Sequence, residues 1–117
     1  MPNDVPTVRK ELDRRGLEVV AATVVGPLDE SSGFPAVEEE ARVRSGVISE
    51  LGGEFLVLIG ANHTDTFTGA ELGPPRLDDT GWSRTIDSIH KIAEIAQEKG
   101  LRLAYHPHAD GHIEYED

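Results

Sequence analysis

One unit occurs three times in this chain: a helical pattern, a glycine, then a run of apolar and β-branched residues. Its instances are RRGLEVV, LGGEFLVL and EKGLRLAY. Alternation of this kind predicts helices packed on a parallel sheet, because parallel neighbours need a crossover and the crossover is usually a helix. The runs at 17–25 and 54–60 are continuously apolar rather than alternating, which predicts strands covered on both faces. A third strand is expected at 101–106. Three strands leave a sheet without partners at either side, whereas a closed barrel of this type needs eight. The expectation is one α/β domain over residues 1–117 that forms part of a larger fold.

The elements between the strands follow from local signals. Val8 and Leu12 lie four apart, and Gly16 stands where a helix commonly ends in a left-handed conformation. Gly26 and Pro27 end the first strand. Pro35 suits the first turn of a second helix, with Glu38, Glu39 and Glu40 favouring its N-terminal dipole. Val37, Ala41, Ile48 and Leu51 mark the buried stripe of that helix, and Gly52 with Gly53 closes it. The stretch 64–77 is long for a connection, a length that accompanies binding or lid roles, with disorder as the plain alternative. From Asp79 onward Trp82, Ile86, Ile89, Ala93 and Ala96 recur at the helical period, with Trp82 expected in the core. Gly100 caps that third helix.

Composition narrows the function classes. Eleven Lys and Arg stand against 22 Asp and Glu, a net charge of −11 that repels nucleic-acid backbones and anionic membranes. With no Cys, neither disulfides nor thiolate ligands exist, and any metal must be held by nitrogen and oxygen. The N-terminal residues carry no apolar core of signal-peptide length, and no window approaches the ~20 apolar residues of a membrane span. A cytoplasmic protein without nucleic-acid or membrane partners is expected.

The chemistry-bearing stretch is 101–114, LRLAYHPHADGHIE, where an apolar strand runs out into His106, His108, His112 and Glu114. Parallel α/β folds place their chemistry at this end of a strand. His106 and His108 are two apart and share a face if the strand persists; His112 and Glu114 repeat the spacing after a turn at 109–111. Asn62 and His63 leave the second strand at the same end and are expected at the rim of the pocket, although a lone surface histidine is the commoner explanation of His63. The acidic tail, Glu116 and Asp117 included, reads as solvated charge.

The segment 82–114 resembles the sugar isomerase and epimerase superfamily with a xylose isomerase-like barrel, and within it the inosose dehydratases. An amphipathic helix, a Gly-Leu start and a His-Pro-His strand end carry the resemblance, which weakens over residues 17–60. It implies a divalent metal (Mn, Co, Mg or Zn) at the barrel mouth that assists proton transfer beside a carbonyl of a small polar sugar or cyclitol. In the family the ligands come from several later strands, and many members carry a Glu at the end of the strand that here reads Leu103-Ala104-Tyr105. The resemblance therefore implies His108 and Glu114 as metal ligands, His106 as the group exchanging a proton with substrate, and Asn62, His63 and His112 as substrate contacts.

Two alternatives stay open on the residues alone. Gly100, His106, His108 and a later Glu approach the metal motif of cupin barrels, which would require strand where residues 84–98 look helical. A small α/β module that binds a polar ligand without turnover is the other. Open strand edges at this chain length also predict homo-oligomer formation.

Overall fold

A computed structural model describes residues 4–114; Glu116 and Asp117 lie outside them. Among the described residues the order is α1 (Val5–Arg15), β1 (Ala21–Gly26), α2 (Phe34–Glu50), β2 (Phe55–Gly60), α3 (Asp79–Glu98) and β3 (Arg102–Tyr105). The strands form one parallel sheet in the order β1-β2-β3, with Val25 opposite Ile59 and Leu58 opposite Tyr105. This is the α/β architecture expected from the repeated unit. It excludes the cupin alternative, because residues 84–98 are helical and the sheet is parallel.

The glycines end the helices as their backbones require. Gly16 adopts φ 63°, and the Leu17 N–H turns back to the Leu12 carbonyl. Gly52 at φ 86° and Gly100 at φ 73° do the same for α2 and α3. A residue with a β-carbon pays a steric penalty at these angles, which is why glycine recurs at the same point of each unit.

Helices α2 and α3 pack on one face of the sheet. Val24, Leu56 and Leu58 point into this layer and meet Val37, Ala41, Ile48, Ile92, Ile95 and Ala96. The opposite face is open, so the expectation of strands covered on both sides does not hold. Along β1 burial alternates strictly, with Ala21, Thr23 and Val25 exposed. Val25 keeps 54% of its surface, and Arg102 lays its guanidinium 5.5 Å from the ring centroid of Phe55 on that side. The sheet is apolar on both faces because its sequence suits a structure in which the second face is also covered. The first strand also starts later than expected: Leu17 and Val20 are exposed and precede it.

Two further expectations are corrected. The buried side of α3 runs through Gly81, Thr85, Ser88, Ile92, Ile95 and Ala96, one residue before the stripe expected from the large apolar side chains. Ile86 is 48% exposed and Trp82 only half-buried. Small residues win this face because the helix approaches the turn after β1 closely enough for Ser88 Oγ to donate to the Leu28 carbonyl at 2.7 Å. In α2, Glu38, Glu39 and Glu40 lie beyond the first turn, which itself holds no acidic residue. Glu40 accepts from Arg44 at 2.8 Å and Glu38 lies 3.4 Å from Lys91, so side-chain pairs rather than the helix dipole explain Glu38 and Glu40. Leu51 is likewise only half-buried, and Ser45 and Val47 take its place in the stripe.

Candidate functional site

All three strands run the same way, so their C-terminal ends share one edge of the sheet, where the segments leaving β2 and β3 come together. The His63 N–H donates to the Asp110 carbonyl at 2.8 Å, and Asn62 and Gly111 form an antiparallel bridge. Gly111 must be a glycine here, since a β-carbon would lie 2.9 Å from the His108 carbonyl oxygen. Asp110 takes φ 62°, a left-handed conformation that Asp and Asn tolerate better than other non-glycine residues.

The first part of the loop, residues 64–72, is tied by its own hydrogen bonds. Asp65 Oδ1 accepts from the N–H groups of Phe67 and Thr68 and from the Thr68 hydroxyl, while Leu72 N–H donates to the His63 carbonyl. These bonds hold the Asp65 carboxyl below its ordinary value of 3.8, the Thr68 N–H contributing most, then the Thr68 hydroxyl and the Phe67 N–H. The fold thereby builds one wall of a groove of about 420 Å³ over the open face of the sheet, lined among others by Val25, Ile59, Asn62, Asp65, Phe67 and His108. A second cavity of about 450 Å³ lies between the turn after β1 and the flank of α3.

The six expected site residues divide into groups. His108 and Asn62 line the groove. His106 sits just past β3, its N–H still bonded to the Leu58 carbonyl, and its ring centroid is 6.1 Å from that of His108. Both rings are exposed, and the strand ends at Tyr105 before it can align them. His63 is buried at 8% exposure rather than lying on the surface, with its ring 5.8 Å from that of His112, whose Nδ1 is 3.1 Å from the Pro75 carbonyl.

Glu114 lies near His63 and Asp110. A ring nitrogen of His63 and carboxylate oxygens of Asp110 and Glu114 lie within 4.8 Å of one another, a group that does not include His108. The His63 Nε2 is enclosed and has no hydrogen-bond partner among the described residues. One imidazole and two carboxylates make a donor set that suits a borderline or hard divalent cation. Asp110 was not singled out from the sequence, where it reads as a turn residue. Only the pairing of residues 62–63 with residues 110–111, far apart in the chain, reveals it.

Beside Tyr105, burial raises the hydroxyl pKa, partly offset by a hydrogen bond with the Gly60 backbone. This side chain fills the space over the end of β2, where a β-carbon on Gly60 would stand 2.9 Å from its hydroxyl.

No family model matches the chain. It is 31% identical over 118 residues to an inosose dehydratase of Geobacillus kaustophilus, an alignment that covers 95% of this chain and 37% of that enzyme. An inosose dehydratase of Clostridium beijerinckii is 24% identical over 110 residues, covering 92% and 37%. The chain thus spans a little over a third of the length of these relatives. Among solved structures, a 3-keto-D-glucoside 4-epimerase from E. coli superposes with a TM-score of 0.70 at 20% identity, over 88% of this chain and 41% of that one. A sugar phosphate isomerase/epimerase from Parabacteroides distasonis gives 0.61 at 19% identity, over 89% and 33%. On sequence and fold together, the chain is an inosose dehydratase homologue with the xylose isomerase-like fold of the sugar isomerases and epimerases, and it spans part of that fold.

Proposed function

We propose that the protein serves a sugar or cyclitol isomerisation, epimerisation or dehydration, in which a proton moves beside a carbonyl. The observation that carries this is the groove at the C-terminal strand ends, where Asn62 and His108 face the open side of the sheet in a homologue of inosose dehydratases. Asn62 offers an amide that both donates and accepts, suited to sugar hydroxyls. His108 stands at the groove, and His106 beside it is exposed to a substrate lying over the sheet. Imidazole exchanges protons near neutral pH and suits a general acid or base. His112, held against the Pro75 carbonyl, contacts substrate from the rim. A divalent cation, when bound, stabilises negative charge developing on a substrate oxygen, and His63, Asp110 and Glu114 are the residues that fit one.

A second function is favoured by the open face of the sheet: the chain binds a polar ligand without turning it over. Proton exchange separates the two. The chain is incubated with a ketose or an inosose in D₂O, with and without Mn²⁺, and deuterium beside the carbonyl is followed by NMR. The expected result is cation-dependent exchange that falls by about 10²-fold in His106→Gln. A ligand-induced rise in Tm without exchange establishes the binding module instead, and neither effect overturns both.

A further inference from the structure

We infer that the finger of residues 64–72 is a ring-selecting element: the Phe67 phenyl stacks on the C–H face of a six-membered cyclic polyol in the groove, and Asp65 Oδ2 accepts one of its hydroxyls. This rests on the function proposed above for the same groove. It adds what sets the specificity, through two residues that function did not use.

The finger is held by its own bonds. Thr64 and Glu71 form an antiparallel bridge, the Asp65 N–H donates to the Ala70 carbonyl at 2.8 Å, and Gly69 takes φ 69° in the turn. At the tip the Phe67 N–H donates to Asp65 Oδ1 at 3.0 Å, so the backbone there is fixed, yet the side chain is 96% exposed. The side chains that build the turn are those of Asp65 and Thr68, and a phenyl at position 67 supplies none of its bonds. A solitary exposed apolar residue is ordinary. This one, however, lines a groove whose floor is Val25 beside Ile59, paired in register on β1 and β2, and Leu72, 67% exposed, extends the apolar surface. An aromatic ring is thus presented to the groove on a loop positioned by a sheet, the usual arrangement of a binding residue.

The polar part of the lining is of a different kind. Asn62 offers a donor and an acceptor, His108 an imidazole, and Asp65 a carboxylate whose three hydrogen bonds among the described residues all go to Oδ1, which leaves Oδ2 as an acceptor for a ligand. A groove of about 420 Å³ with an apolar floor and a few polar groups fits a ligand divided in the same way. A six-membered polyol ring is such a ligand, because ring closure gathers C–H bonds on its faces and directs hydroxyls toward its edge. An open-chain polyol with as many hydroxyls has no fixed apolar face, and it loses rotational freedom about each C–C bond when bound. Stacking on Phe67 therefore separates the two classes where hydrogen bonds to hydroxyls alone do not.

The test compares two probes that each carry six hydroxyls and no carbonyl, myo-inositol and a hexitol, so that binding is read without turnover. Affinities are measured by NMR titration for the chain and for Phe67→Ala, Phe67→Trp and Asp65→Asn, and the aromatic protons are saturated to detect contact with the C–H protons of the ligand. The exposed position of Phe67 lets its variants retain the fold. Asn at position 65 keeps Oδ1 as an acceptor and replaces Oδ2 with a donor, and protection of the Thr68 amide shows that the finger is intact. The parent should bind inositol more tightly than hexitol, with saturation transfer to the inositol. Phe67→Ala should lower inositol affinity by about two- to tenfold and remove the transfer, with hexitol affinity unchanged, and Phe67→Trp should restore the affinity. Asp65→Asn should weaken inositol binding while the Thr68 amide stays protected. The element is overturned if neither probe binds, if the two bind equally, or if Phe67→Ala binds inositol as the parent does. Cation-dependent proton exchange without ring selectivity removes this element and keeps the function proposed above, and selective inositol binding without exchange does the reverse.

Discussion

Asp65 shows how much one carboxylate decides in this molecule. It accepts from two backbone N–H groups and a hydroxyl, and so converts the start of a long connection into a turn that walls the groove. Because these bonds favour the ionised form, its folded pKa lies below the unfolded value, and the stabilisation is present above that value and lost as pH falls through the folded pKa. Hydrogen exchange at the Phe67 and Thr68 amides should accordingly accelerate below about pH 4, where carboxylates protonate. In Asp65→Ala the same amides should exchange rapidly at every pH, while those of β2 stay protected. Uniform protection across pH would show that the turn does not depend on this carboxylate.

The third helix gives the sharpest test at the scale of an element. Ile92 is fully buried and Ile86 half-exposed, though both are large, apolar and on the same helix. Replacing Ile92 with Ala should cost about 2–5 kcal/mol, the usual range for a buried isoleucine, whereas Ile86→Ala should cost less than about 1 kcal/mol. Urea unfolding of the two variants measures the difference, and equal losses would place the helix at the rotation expected from its large side chains. The N-terminus of α3 is fastened separately, with Asp78 accepting from the Gly81 N–H at 2.7 Å. The first helix has no such anchorage: it buries no residue, and Arg9 hydrogen-bonded to the Glu50 carbonyl ties its flank to α2.

For the whole molecule the dominant feature is the open face of the sheet. Val25, Leu72 and Phe67, the last 96% exposed, gather on the side of the groove, and Leu17 and Val20 are exposed before β1. Contiguous apolar surface of this kind promotes association. Analytical ultracentrifugation should therefore show concentration-dependent self-association, reduced in the double variant Val25→Thr, Phe67→Ser without loss of helical signal. A chain that stays monomeric at all concentrations would show that its own loops shield the face sufficiently. Among the described residues no helix is long and apolar enough to cross a membrane.

Much of the architecture was legible in the residues. Each glycine at a helix end follows from a left-handed backbone angle that only glycine adopts cheaply, and each apolar run after it follows from a strand that must bury at least one face. The sequence also placed the segments leaving β2 and β3 at one edge of the sheet, because parallel strands deliver their exits to the same side. Which side of α3 is buried was not legible, since the large apolar side chains and the close approach at Ser88 point one residue apart, and the helix obeys the packing. Nor was the grouping of the ligand-type residues. Spacing along the chain pairs His108 with Glu114, but the strand stops at Tyr105 and the following turn carries His108 to the groove. His63 and Asp110 are 47 positions apart in the numbering and meet only because two loops pair across the sheet's edge. Local propensity and periodicity act over a few residues, so the sequence by itself determined the elements and their order, and tertiary structure alone decided which side chains lie together.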